Sequence, residues 1–263
     1  MGSSRSKYLT SVATHPFLDW PGPIAFAHRG GASDSPENTM SAFAKAVSLG
    51  YRYVETDVHA SRDGVLFAFH DDDLLRTCGV DAKINDLDSS EVKAIVIDGH
   101  EHIPTLSELV TTWPDLRVNI DCKADPAVEP LITALHDHDL FDRVCIGSFS
   151  DRRLRAIREA CGPRLCSSMG PKEVAMLRLR SWTKTSARDL APLAAQVPPR
   201  QGPLPIVDKR FVAHAHDLGL HVHVWTIDEP SQIHELLDLG VDGIMTDSLT
   251  TLVAALHERG QWS

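Results

Sequence analysis

The stretch Ile24-Ala25-Phe26-Ala27-His28-Arg29-Gly30-Gly31 decides how the rest of this chain is read. Its four apolar residues suit a short buried strand, yet the strand ends in a base, a cation and two glycines. That is a poor way to fill a core. It is a good way to present an acid/base and a phosphate-binding cation at a strand tip, with glycines that let the backbone turn close to a ligand. On this reading, later strands should carry acids, bases and cations to their own tips.

The next strand, 51–58, carries Glu55 and Asp57 near its end, and the strand at 116–122 ends on Asp121 with Lys123 just beyond. Residues two apart on a strand share a face and lie roughly 6.6 Å apart along it, so each pair points one way. Further strands are expected at 143–148, 164–168, 220–226 and 242–246, with a weaker one inside 192–207 where prolines blur the pattern. Helices are expected near 126–138, 150–160, 171–181, 209–218, 230–238 and 248–258. An opening helix begins at Asn38-Thr39, with Asn38 as N-cap, and stops at Gly50. Alternating strand and helix indicates a parallel sheet, and about eight strands favour a closed α/β barrel, the (β/α)8 TIM barrel, over an open sheet. No Gly-rich nucleotide-binding pattern follows any strand.

One excursion interrupts this rhythm. Ser61-Arg62-Asp63-Gly64 is a turn, and Val65-Leu66-Phe67-Ala68-Phe69 runs back from it into His70-Asp71. Residues 72–104 read as polar and irregular, with a short helix near 88–93, and 105–112 as another helix. The chain is therefore a single barrel domain, 21–263, with a short hairpin and loop excursion after its second strand. Residues 1–20 form a loosely ordered arm ended by Trp20-Pro21-Gly22-Pro23.

A chain of 263 residues with 43% hydrophobic content can bury a sizeable core without staples. The net charge of -10 opposes nucleic acid binding and adsorption to anionic membranes. No stretch approaches a membrane span of roughly 18 apolar residues, and no apolar segment follows the first residues as in a signal peptide. A cytoplasmic location is expected. The five cysteines form no CxxC pair, and Cys122 and Cys145 sit in apolar runs as small core residues.

In a parallel barrel all C-terminal strand ends meet at one rim. Glu55, Asp57 and Asp121 would converge there, beside His28. Two unit charges about 4 Å apart repel by about 4 kcal/mol at an effective dielectric of 20, and a divalent cation would relieve this. All-oxygen ligands suit Mg²⁺ or Ca²⁺. Salt bridges with Arg29, Arg52 or Lys123 are the simpler alternative for any one of these acids. His70 reaches the same rim, and two histidines near a metal and two cations suit acid–base work on a phosphate ester. Of the chain's 14 histidines most must be bland; His221 and His223 alternate on one strand with Trp225 and read as barrel-interior residues.

The string His28-Arg29-Gly30, Pro36-Glu37-Asn38-Thr39, Glu55-x-Asp57-Val58, Asp63-Gly64, His70-Asp71 and Leu74-x-Arg76-Thr77 resembles the glycerophosphodiester phosphodiesterase family. Ile103-Pro104-Thr105-Leu106, Asn119-Ile120-Asp121-x-Lys123, Val224-Trp225-Thr226 and residues 242–247 continue the likeness, which runs from about residue 24 to 258. The resemblance implies a (β/α)8 barrel and metal-dependent hydrolysis of glycerophosphodiesters to glycerol 3-phosphate and an alcohol, by way of a cyclic phosphate. It implies His28 and His70 as the acid/base pair, and Glu55, Asp57 and Asp121 as ligands of Mg²⁺ or Ca²⁺. Asp121 stands where the family usually has a glutamate. Arg29 and Lys123 would hold phosphate oxygens, and Trp225 would pack against the glycerol or the leaving alcohol. Residues 72–104 are too short for the insertion that larger bacterial members carry, so a smaller lip and a bulkier leaving group are consistent with the sequence. Two competing readings are a lysophospholipase D or sphingomyelinase-D-like enzyme acting on lipids, and a non-catalytic barrel that binds phosphodiesters.

Overall fold

The structure, a computed structural model, describes residues 15–33, 35–183 and 192–262. Seven parallel strands form the barrel sheet: β1 (Ile24–Ala27), β2 (Tyr53–Ala60), β3 (Arg117–Cys122), β4 (Val144–Gly147), β5 (Ala194–Val197), β6 (His221–Val224) and β7 (Gly243–Thr246). They pair in the order β4-β3-β2-β1-β7-β6-β5. The eighth position, expected as a strand at 164–168, is reduced to two bridges, Ile146 to Ser167 and Ser168 to Ala194, which join β4 to β5 and close the ring.

The two-residue period sorts the strands into layers. On β1, Ala25 and Ala27 belong to the outer core beneath the helices, while Ile24 and Phe26 belong to an inner cluster with Tyr53, Cys145, Cys166 and Met245. Glu55 and Asp57 follow Tyr53 at the same period, so β2 turns from apolar to charged as it rises through the interior. Outside lie helices including Met40–Ser48, Val128–Asp137, Asp151–Cys161, Lys209–Asp217, Pro230–Leu239 and Leu249–Glu258. Leu131 and Leu135, Leu154 and Ile157, Phe211 and Ala215 face inward at helical spacing. Among the described residues no helix is long and apolar enough to cross a membrane.

Three local expectations are revised. Thr39, not Asn38, caps the opening helix, its hydroxyl accepting from the Ala42 amide; Asn38 sits in a left-handed conformation with φ 56° and sends its side chain into the barrel mouth. Residues 72–104 are not irregular: with the strand Leu66–Ala68 they bury Phe67, Phe69, Leu74, Ile84, Val92, Ile97 and Ile103 in a separate small core. The helix Ser89–Lys93 there begins with a capping box between Asp88 and Glu91. Finally, residues 15–20 of the expected arm are docked, while residues 1–14 lie outside the described residues. Phe17 is fully buried under the barrel, edge-on to Tyr53 at 5.3 Å, and the Tyr53 hydroxyl donates to the Phe17 carbonyl at 2.8 Å. Arg117 covers Trp20 and Tyr53 and donates to the Asp19 carbonyl at 2.9 Å. Burying this aromatic plug outweighs the turn signal at Pro21–Pro23 that suggested a loose boundary.

Candidate active site

β1 ends in a single tight turn, His28–Gly30. Gly30 has φ 83°, and a Cβ there would lie 2.8 Å from that of Ala42; Gly31 has φ 99°, and a Cβ would meet Leu249 at 2.5 Å. Two outer helices therefore press on this turn, and only glycine fits. The turn aims His28 across the mouth. Its Nδ1 lies 2.7 Å from Asp247 Oδ1, and its Nε2 lies 3.7 Å from Glu55 Oε2. Asp247 is held in turn by Asp228, whose Oδ1 accepts the amides of Asp247 and Ser248 and the hydroxyl of Thr246.

The acids expected from the strand tips occupy adjacent strands. In the β2–β3 register Glu55 faces Asn119 and Asp57 faces Asp121. Lys123 Nζ stands between two of them, 2.9 Å from Asp57 Oδ1 and 2.8 Å from Asp121 Oδ2. Arg29 Nε lies 3.2 Å from Asp57 Oδ2, the Arg29 amide donates to Glu55 Oε2 at 3.1 Å, and Asn38 Nδ2 donates to Asp57 Oδ2 at 3.1 Å. Burial works against charge on Asp57, but Lys123 and then Arg29 outweigh it and hold this carboxyl below its usual range. Glu55 has less help: burial, then Asp57, push it up to about 7. Asp121 is also raised by burial, against the pull of Lys123, and its Oδ1 is buried without a hydrogen-bond partner. His28 moves upward too; burial opposes this, but Glu55 and Asp247 prevail.

His70 follows the excursion strand. Its Nδ1 lies 2.6 Å from Asp71 Oδ1, and Arg76 holds the Asp71 carboxyl down to about 2. Trp225 continues β6 to the rim, edge-on at 5.7 Å to Phe149, which follows β4 and is 65% exposed. Lys123 Nζ lies 5.6 Å from the centre of the Phe149 ring.

Of the residues singled out from sequence, His28, Arg29, Glu55, Asp57, Asp121 and Lys123 form one connected cluster. His70 joins it through Asp71, Arg76 and Glu37, since Glu37 Oε1 lies 3.1 Å from Arg29 Nη1. The three expected metal ligands are not drawn tightly together. Among the described residues the trio whose donor atoms all lie within 4.8 Å is Glu37, His70 and Asp71, and Arg76 already spans its two carboxylates. Glu55, Asp57 and Asp121 nevertheless fit a hard cation by composition: all donors are oxygen, one buried oxygen is orphaned, and burial presses Glu55 toward its protonated form, which a cation would displace. The sequence pattern assigns no role to Asp247, Glu37, Asp71, Arg76 or Phe149, and gives Asn38 only that of a helix cap. All but Phe149 lie within the quoted motifs, so the strings were visible but not the partners.

A parallel barrel with acidic and basic side chains gathered at its C-terminal rim is the arrangement of a barrel enzyme, whose reaction is set by the rim residues. The glycerophosphoryl diester phosphodiesterase family matches residues 28–251. A Mycobacterium tuberculosis protein named probable glycerophosphodiester phosphodiesterase 2 is 40% identical over 253 residues, covering 94% of this chain and 95% of the relative. The chain belongs to the glycerophosphoryl diester phosphodiesterase family. Its fold also matches a solved structure from Silicibacter pomeroyi described as a putative glycerophosphoryl diester phosphodiesterase, with TM-score 0.76, 23% identity, and coverage of 93% and 97% of the two chains. A second match, with TM-score 0.73 and 24% identity over 89% and 97%, is an Oleispira antarctica phosphodiesterase in complex with the product sn-glycerol-3-phosphate.

Proposed function

We propose that this chain hydrolyses glycerophosphodiesters to glycerol 3-phosphate and an alcohol, with His28 and His70 as the acid/base pair. The observation that carries this reading is that both histidines are oriented alike at one rim. Each is held through Nδ1 by a carboxylate, His28 by Asp247 and His70 by Asp71, which leaves Nε2 of each ring for proton transfer. One ring removes the proton from the glycerol 2-hydroxyl, whose oxygen attacks phosphorus in line. The other gives a proton to the departing alkoxide. The roles then reverse as water opens the cyclic phosphate, which restores both rings.

Arg29 and Lys123 supply the positive charge that receives phosphate oxygens, and Trp225 provides a flat apolar wall for the glycerol or the alcohol. Glu55, Asp57 and Asp121 would hold a divalent cation, Mg²⁺ or Ca²⁺, which when bound supplies Lewis-acid neutralisation of the phosphate charge. The 40% identity to a named phosphodiesterase over nearly the whole chain supports the substrate class.

A second reading, a lysophospholipase D, gains support from one feature: Phe149 extends the Trp225 wall outward and stays exposed, a surface suited to an acyl chain. The two readings separate in one assay, release of choline from glycerophosphocholine against release from lysophosphatidylcholine, with Mg²⁺ and Ca²⁺ titrated. Turnover of the first alone supports the glycerophosphodiester reading. Preference for the second replaces it, and binding of both without turnover makes the barrel a receptor for phosphodiesters.

A further inference from the structure

The excursion after β2 brings one arginine to the edge of the site, and its contacts form an unusual bridge. Arg76 lies on the short helix Leu75–Cys78. Its Nε donates to Asp71 Oδ2 at 2.5 Å and its Nη2 to Asp71 Oδ1 at 3.1 Å. The same Nη2 donates to Glu37 Oε1 at 2.5 Å, and Nη1 donates to Glu37 Oε2 at 3.3 Å. All three guanidinium nitrogens are thus spent on two carboxylates from different parts of the chain. Each carboxylate also reaches inward: Asp71 to His70 Nδ1 at 2.6 Å, and Glu37 to Arg29 Nη1 at 3.1 Å.

We propose that Arg76 is a positioning residue for the phosphodiesterase reaction: it clamps Asp71 and Glu37, and through them fixes the ring of His70 and the head of Arg29. The inference rests on the functional reading above, in which His70 transfers a proton and Arg29 receives phosphate.

The physical argument is one of repulsion and geometry. The donor atoms of Glu37, Asp71 and His70 lie within 4.8 Å of one another. Two carboxylates so close repel unless a cation lies between them. Without Arg76, Asp71 turns away from His70, Glu37 turns away from Arg29, and each of these two groups loses the partner that sets its direction. An ordinary surface ion pair contributes little, and Arg76 itself is 53% exposed. The difference here is that its partners are mostly covered, Glu37 at 17% and Asp71 at 22%, and point into the site. A lysine carries the charge but offers a single ammonium where the guanidinium offers a fork, so it cannot serve both acids as arginine does. On this account the small core of residues 72–104 exists partly to hold a clamp. Phe69 and Leu74, which flank the His70–Asp73 stretch, are buried in that core and anchor the base of the Arg76 helix.

The test compares Arg76→Ala and Arg76→Lys with His70→Ala and the unmodified protein, using glycerophosphocholine turnover with Mg²⁺ present. Arg76→Ala should lower kcat about 10²-fold through misplacement of the reacting groups, with KM changed by no more than about threefold. Arg76→Lys should recover only a minor part. Free guanidinium at millimolar concentration should restore kcat of Arg76→Ala about tenfold without helping Arg76→Lys or His70→Ala, a response that loss of structure alone cannot give. If Arg76→Ala keeps kcat within about twofold while His70→Ala is inactive, the clamp is wrong and the functional reading stands. If His70→Ala turns over at near the unmodified rate, the functional reading falls first. A rise in KM with kcat unchanged overturns the inference as well, because it makes Arg76 a substrate contact. Should Arg76→Ala also melt early, guanidinium still decides: restored turnover supports the clamp, and no restoration overturns it.

Discussion

Two histidines in the same barrel, the half-buried His28 and the buried His223, respond to burial in opposite ways. His223 is fully enclosed, its ring 4.9 Å from that of Phe26, with Gln196 as a neutral neighbour and His221 beside it at 6.0 Å. Burial, then His221, push it down to about 3, and it stays uncharged at any ordinary pH. His28 is partly covered, its side chain 15% exposed, yet Glu55 and Asp247 outweigh burial and raise it. Burial alone removes charge; at His28 the neighbouring acids Glu55 and Asp247 reverse the sign. The lower barrel is therefore a neutral packing layer, and the rim is where protons and anions can be handled. This division explains how neighbouring positions on one strand serve different ends, Tyr53 in the inner core and Glu55 and Asp57 at the site.

The division can be broken by experiment. The largest effect belongs to His28→Ala, which should lower turnover on the order of 10³-fold or more and leave cooperative unfolding intact. His223→Ala should instead preserve turnover in the folded protein and lower its melting temperature. Comparable turnover losses in both, measured by steady-state kinetics beside thermal melts, would erase the distinction. Next in size is the ion. Exhaustive chelation should remove activity and Mg²⁺ or Ca²⁺ should restore it, while the melting transition persists; full activity after chelation would end the assignment of Glu55, Asp57 and Asp121. At the opposite end of the barrel, Phe17→Ala should cost about 3–5 kcal/mol of stability in denaturant titrations, with kcat of the folded fraction unchanged.

The smallest effect tests the electrostatic rule outside the barrel. His216 Nε2 lies 2.8 Å from Asp242 Oδ2, and that hydrogen bond, working against burial, raises the histidine. A raised histidine stabilises fully below its unfolded value near 6.5 and loses this contribution as pH climbs through its folded value. His216→Gln should therefore destabilise by about 0.5 kcal/mol near pH 6 and by less near pH 9, a modest figure because the pair is partly solvated. An equal loss at both pH values would show that the pair acts by packing alone.

Much of this was legible in the residues themselves. Alternation placed the barrel strands and put Glu55, Asp57, Asp121 and Lys123 at one rim, because a strand has a fixed two-residue period and a parallel barrel gathers its tips. At 164–168 the pattern overstates the strand: Leu165 and Cys166 are apolar and buried, but only Ser167 and Ser168 make bridges. Asn38 is ambiguous in sequence because a cap and a left-handed turn draw on the same residue types. The small core of the excursion leaves no local signal because its apolar residues are spread over 67–103, with no single period linking them. The partners Asp247, Asp71 and Glu37 were hidden for a simpler reason. Asp247 meets His28 from 219 residues away and Glu37 meets Arg29 around a turn, while Asp71 adjoins His70 but adjacency alone does not record that the carboxylate and the ring meet.

The two bridges at Ser167 and Ser168 carry a consequence for how the barrel breathes. Every other neighbouring pair in the ring is joined by a ladder, whereas β4 and β5 meet only through this short segment. Local opening follows the line of fewest hydrogen bonds. Amide hydrogen exchange should accordingly begin on this seam, at Met169, whose amide donates to the Ala194 carbonyl, and at Ser168, which donates to Ile146. The amides of β1, β2 and β3, ringed by ladders on both sides, should exchange last, so the strands that bear His28, Glu55, Asp57 and Asp121 form the slowest part of the molecule to open.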